Sequence, residues 1–171
     1  MIGIVILAAS LATCNPSTGG DPHVRSSEET VRRFLVEGCR GSATFRGLLA
    51  DLETSDLVVY VRTAPSQAGE PAGRVAFIAA TAARRYVLVT LNSRLPGPTL
   101  IGLLGHELQH AVEIAGAAEV VNDSVMARLY ERIGTAGARR EGKRCFDSGA
   151  AVVVGHRVYK ELQMSGLAHD F

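Results

Sequence analysis

Tryptophan is absent from this chain, and aromatic residues make up only 5% of it. So few rings supply no stacking surface for single-stranded nucleic acid. An excess of charge of either sign is also missing. Eighteen Lys and Arg face seventeen Asp and Glu, for a net charge of +1, so no strong field draws the chain to nucleic acid or to an anionic membrane. Cysteine is scarce, with three residues at positions 14, 39 and 145, and no CxxC pair occurs, which excludes the usual cysteine–zinc arrangements. No internal repeat and no composition shift divides the chain. At 171 residues, 47% of them hydrophobic, it has the size and apolar content of one domain with a proper core.

The N-terminus stands apart from that background. Ile2 to Ala12 is an almost unbroken apolar run, about the length of a secretory h-region and too short to span a bilayer. The following Leu11-Ala12-Thr13-Cys14 resembles a bacterial lipobox. The resemblance implies a signal peptide over 1–14, lipidation of Cys14, membrane anchoring and a place in the bacterial cell envelope. Residues 15–27, rich in Pro, Gly, Ser and Thr, are then expected to form a flexible tether, followed by a single domain over 28–165 and a loose tail over 166–171. With Cys14 set aside, Cys39 and Cys145 remain as a pair. In an oxidising compartment they are candidates for one disulfide closing a long loop; the alternative is two reduced, buried thiols.

Within the domain, helical spacing predicts helices over 28–37 and 43–52, with Ser26 and Ser27 as caps for the first. β-Branched runs predict strands over 56–63, 74–80 and 85–91, the last strongly apolar and central. A helix from Pro98 to Ala115 follows, with Gly116 as its expected left-handed cap. Another helix over 125–133 is capped by Asn122. Residues 137–143 are basic and read as a loop. A last helix is expected from Phe146 to Gln163, with Ala150, Val153, Val154, Val158 and Leu162 as its buried stripe. The fold class is therefore α+β: a small antiparallel sheet of about three strands, packed against the helix at 98–115, with further helices on the C-terminal side.

That helix carries His106-Glu107-Leu108-Gln109-His110. Histidines four apart lie about 40° apart around a helix and roughly 6 Å along it, so both imidazoles reach one point, as a shared metal ion requires. Glu107 points to one side, where it can accept a proton from a water activated by the metal. Gly102, His106, His110 and Glu113 share one face, and Ile101, Leu104, Leu108 and Ala111 the opposite, apolar one. Gly102 leaves room for something to approach the metal face.

At these residues the sequence resembles the zincin metallopeptidases. Leu104-Gly105-His106-Glu107-Leu108-Gln109-His110-Ala111 looks like the active-site helix of their gluzincin branch, in its small single-domain forms. The resemblance implies Zn2+ held by His106 and His110, Glu107 as general base, a peptide or protein substrate, and an edge strand that pairs with that substrate. The strand at 74–80 is the candidate edge. It does not extend to metzincins, because Glu113 and Gly116 stand where those have glycine and histidine.

A third zinc ligand is needed, and three carboxylates compete for the role. Asp147 is first; gluzincins resemble its placement on a later helix, with a small residue, here Ala150, three positions on. Their residue is Glu, so an Asp requires the backbone to approach the metal by about 1.5 Å more. Glu119, after the Gly116 turn, is second. Glu113 is third, and reads better as a carboxylate orienting His110. Tyr130 is the candidate oxyanion stabiliser; Tyr159 is a weaker one, and His156 is expected to face solvent. The leading expectation is a zinc-dependent peptidase. The alternative is a non-catalytic envelope lipoprotein whose metal only holds the fold. A di-metal helical bundle of the ferritin type is set aside, because Glu107-Leu108-Gln109-His110 has no second Glu-x-x-His to pair with.

Overall fold

A computed structural model of the chain describes residues 21–140 and 143–166, and of 136–140 and 143–146 the backbone alone. The expected signal segment with Cys14, the first part of the expected tether, the Cys145 side chain and the expected tail beyond Gly166 lie outside the described residues.

The described part of the expected tether is structured. A short strand, β1 (Val24–Arg25), runs parallel to β2 (Leu57–Ala64). Val24 joins the core, and His23, equally buried at 7% exposure, places Nδ1 2.9 Å from the Leu52 carbonyl oxygen. The first helix, α1 (Glu29–Gly41), starts after Glu28, which makes no side-chain cap bond; of the two expected serines, Ser26 Oγ accepts from Glu28 N at 3.0 Å, just ahead of the helix. Glu28 instead turns its carboxylate to Thr63, accepting from its backbone N at 3.1 Å and its Oγ1 at 2.7 Å. Helix α1 runs past Gly38, where the sequence suggests an end. A Cβ there would meet Ile101 and Phe45 at 3.0 Å, so this glycine serves close packing. Helix α2 (Ala43–Glu53) begins at Ser42, whose hydroxyl accepts from Phe45 N.

The sheet corrects the expected antiparallel arrangement. It has four strands in the order β1-β2-β4-β3, with β3 (Gly73–Ala80) and β4 (Arg85–Asn92) completing it. Strands β1, β2 and β4 are mutually parallel, and only β3 is antiparallel. The loop between Ala64 and Gly73 is long enough to carry the chain past one strand position, roughly 10 Å. The apolar β4 then returns into the centre, where Val87, Val89 and Leu91 are fully buried. Strand β3 is left at the edge, and its pairing with β4 shifts register between Phe77 and Ala79.

On one face of this sheet lies α3 (Gly97–Gly116), which also packs against α1, α2 and α5 (Gly149–Met164). Pro98 occupies its first turn, as expected. Gly116 is not a left-handed cap: it is the last helical residue, and only Gly69 and Gly166 have positive φ among the described glycines. The end of α3 is closed instead by Arg85. This side chain is 4% exposed, donates to the carbonyls of Ile114, Ala115, Ala117 and Val120, and forks onto Asp56 at 2.7 and 2.8 Å.

Helix α4 (Asp123–Ile133) is capped by Asn122, which accepts from Val125 N. The stretch expected as a basic loop is a hairpin, β5 (Thr135–Arg140) and β6 (Lys143–Asp147). Because β6 reaches Asp147, α5 begins three residues later than expected, and its expected stripe is kept in part: Val158 and Leu162 are buried and Val154 packs against the core. Its buried residues are Ala151, Gly155, Val158 and Leu162, whereas Val153 is 54% exposed and Ala150 is also exposed. Glu161 fastens α5 to the start of α2, accepting from Ser42 Oγ at 2.6 Å and from Thr44 N and Oγ1. No helix among the described residues is long and apolar enough to cross a membrane.

Candidate metal centre

Two elements distant in sequence meet at His106 and His110. Helix α3 supplies the imidazoles, and the corner where β6 passes into α5 supplies Asp147. Close packing makes the corner reach. A Cβ on Gly155 would fall 2.9 Å from His106 Cβ and 3.2 Å from the Gly102 carbonyl, and one on Gly105 would fall 2.9 Å from Val158. What approaches the bare face at Gly102 is therefore α5 itself. The same approach removes the obstacle of a short aspartate arm, since the backbone carrying Asp147 is drawn toward α3.

Asp147 Oδ1 lies 3.3 Å from His106 Nε2 and 3.3 Å from His110 Nε2. The three candidate ligand atoms all fall within 4.8 Å of one another. Ligand bonds of about 2.0–2.1 Å at tetrahedral angles put neighbouring donor atoms roughly 3.3 Å apart, the spacing Asp147 keeps from each imidazole; the widest pair, at up to 4.8 Å, would have to draw together around an ion. Asp147 Oδ1 is also buried and has no hydrogen-bond partner. A desolvated carboxylate oxygen without a donor is costly, and a cation among the three atoms removes that cost. The donor set, two imidazoles and one carboxylate, is one that a divalent transition-metal ion takes.

The electrostatics follow from burial and neighbours. Burial pushes the His106 pKa down, opposed by the charge of Asp147. Burial also acts downward on His110, but the hydrogen bond to Glu113 and the acids around it leave its pKa raised. For Glu113 burial acts upward, and the bonds from His110 and Ser148 outweigh it and hold the carboxyl below its ordinary value. Glu107, 4% exposed, is pushed by burial up to about 7.

Glu113 accepts from His110 Nδ1 at 3.0 Å, on the side of the ring away from Asp147. Glu119 pairs with Arg132 at 3.1 Å, exposed and outside the cluster. The Tyr130 ring stands edge-on to His110 with centroids 5.1 Å apart, and its hydroxyl donates to the His110 carbonyl at 3.1 Å. Burial raises its pKa, Glu113 adding to the effect, so it stays a neutral donor already in use. His156 is exposed, and Tyr159 accepts from Gln163 while its Cβ packs over Gly102. Cys39 is buried and disulfide-bonded, its partner sulfur lying outside the described side chains.

Three residues of the site escape a reading of the sequence. Ser148 caps α5, accepting from Ala151 N, and donates to Glu113 at 2.5 Å; a serine beside the aspartate at a helix start was the available signal. Gly155 has none, since a small residue inside an apolar helix is unremarkable. Gly73 opens β3 directly over Glu107, and a Cβ there would land on Glu107 Oε1. Gly73→Ala is expected to destabilise the fold by about 1–3 kcal/mol in a urea melt. In a Glu107→Ala background the same change should cost far less, because its collision partner is gone. An unchanged cost would assign the effect to the backbone instead.

No protein-family model, no curated protein and no solved structure matches the chain.

Proposed function

We propose that this chain is a zinc-dependent peptidase, with His106, His110 and Asp147 as the metal ligands and Glu107 as general base. The observation that carries the reading is the buried Asp147 Oδ1, which makes no hydrogen bond and lies equidistant at 3.3 Å from two imidazole nitrogens. Zn2+ bound there would act as a Lewis acid and make water nucleophilic near neutral pH. The protein's own groups do the rest. Glu107 accepts the proton of the attacking water and returns it to the leaving amine. Its burial under Gly73 limits the access of bulk water to that proton. Strand β3 is the edge of the sheet and starts over Glu107. An extended peptide adding to that edge passes beside the carboxylate, with main-chain hydrogen bonds supplying register.

The same reading places the protein in the cell envelope, anchored through lipidated Cys14. The apolar run at 2–12 supports this, and the disulfide at Cys39 suits an oxidising compartment.

Zinc titration tests the site. Chelator-stripped protein should bind one Zn2+ per chain and should cleave a fluorescently labelled unfolded protein only when reloaded. Asp147→Ala should weaken binding by more than the roughly 10–100-fold typical of losing a supporting group. Cleavage that survives chelation, or zinc binding indifferent to Asp147, would end this assignment.

A further inference from the structure

Behind His110 runs a line of hydrogen bonds that no ligand role uses. His110 Nδ1 lies 3.0 Å from Glu113 Oε2. Ser148 Oγ donates to Glu113 Oε1 at 2.5 Å, and the same hydroxyl accepts from Ala151 N at 3.0 Å. The side chains of His110 and Glu113 are only 10% and 12% exposed, so water competes weakly for these bonds.

The line joins the two halves of the site. Glu113 belongs to α3, one turn beyond His110, while Ser148 follows Asp147 directly and starts α5. One carboxylate therefore grips the helix bearing both imidazoles and the corner bearing the third ligand.

We propose that Glu113, held by Ser148, is a positioning residue that fixes the tautomer and plane of His110 and thereby sets the affinity of the site for zinc. The proposal rests on the metal site described above and adds to it a group that does not touch the metal. An ionised carboxylate only accepts, so neutral His110 donates from Nδ1 and keeps the Nε2 lone pair on the Asp147 side. In the neutral ring that lone pair and Asp147 Oδ1, 3.3 Å apart, are two acceptors that a cation between them would join, and a proton on Nε2 competes for the same place. Tyr130 steadies the helix segment below by donating to the His110 carbonyl. Without Glu113, the ring is free to place its proton on Nε2, where it blocks the metal.

Two measurements on the full chain test this. Competition with a chromogenic chelator gives zinc affinity, and nitrogen-15 NMR of the metal-free protein, taken at a pH high enough for the ring to be neutral, gives the His110 tautomer. Glu113→Ala should weaken zinc binding roughly 10–100-fold and shift the tautomer toward Nε2–H. Ser148→Ala should act in the same direction, add little to Glu113→Ala, and be rescued by Ser148→Thr, which keeps the hydroxyl. Glu113→Gln, which preserves volume and one acceptor oxygen, serves if the alanine variant does not fold, and should fall between wild type and alanine. Wild-type affinity in the Glu113 variants, or an unchanged tautomer, would overturn the proposal. Wild-type protein that binds no zinc would overturn the metal assignment instead, and the tautomer would still decide what Glu113 does.

Discussion

Glu107→Gln is expected to lower peptide hydrolysis by roughly 10²–10⁴-fold while leaving zinc binding intact. The amide keeps the volume and the buried position but cannot accept a proton. His106, His110 and Asp147 are untouched, so a site that merely braces the fold would lose nothing measurable in this variant. Full hydrolysis by the glutamine protein would remove Glu107 from the mechanism.

The same variant has a pH signature in the metal-free protein. Burial raises Glu107 from 4.5 to about 7, so the folded state favours its protonated form. Its contribution to stability is complete below pH 4.5 and is lost as pH rises through about 7. Glutamine does not titrate and escapes the loss. Urea melts should therefore show the two proteins alike near pH 4 and the variant more stable at pH 8, by about 3 kcal/mol at most. His106, His110 and Glu113 titrate in both, but the Glu107 charge is one cause of the raised His110 and the His110 charge acts back on Glu107, so the difference reports that coupled pair. Zinc should shrink the gap, because a nearby cation stabilises the ionised carboxylate.

Arg85→Met is expected to destabilise the protein by about 3–5 kcal/mol, a large share of the roughly 5–15 kcal/mol that holds a domain together. The guanidinium is 4% exposed and serves four carbonyls at and beyond the end of α3. Removing it strands those acceptors and frees the helix terminus whose last two turns carry His110 and Glu113. Asp56→Asn should cost far less, since that carboxylate is 46% exposed and water replaces its partner. Arg85→Lys should recover only part of the loss, because an ammonium cannot reproduce the fork. Denaturant midpoints comparable to wild type in Arg85→Met would show that water replaces the guanidinium at the carbonyls.

The motif helix could be read directly, because residues at 3.6 spacing separate an apolar face from an imidazole face over five turns, and that pattern is local. The strength of β4 was legible for a similar reason: an apolar run can only be central. The order of strands was not, since the choice between neighbours depends on how far the loop before Gly73 travels. Placement of α5 failed on two physical points. The hairpin at 135–147 is basic and lacks alternation, so nothing marks Asp147 as the end of a strand. The buried face of α5 keeps Val158 and Leu162 of the expected stripe but gains Ala151 and Gly155, whose value is nearness, while the stronger apolar residues Val152 and Val153 lie outside. Hydrophobic patterning reports greasiness and misses contacts made by the absence of a side chain. Arg85 was invisible for the converse reason: an arginine at a strand start normally reads as solvent-facing.

The step in register between Phe77 and Ala79 limits what the outer margin of the sheet can offer. Evenly spaced donors and acceptors run from Gly73 to Phe77 and then fall out of phase around Ile78, which bulges outward at 51% exposure. A short extended visitor can lie along the first part. A long one, including the same strand from a second molecule, meets a kink before it can zip further, so the open side of β3 is guarded against runaway stacking of copies.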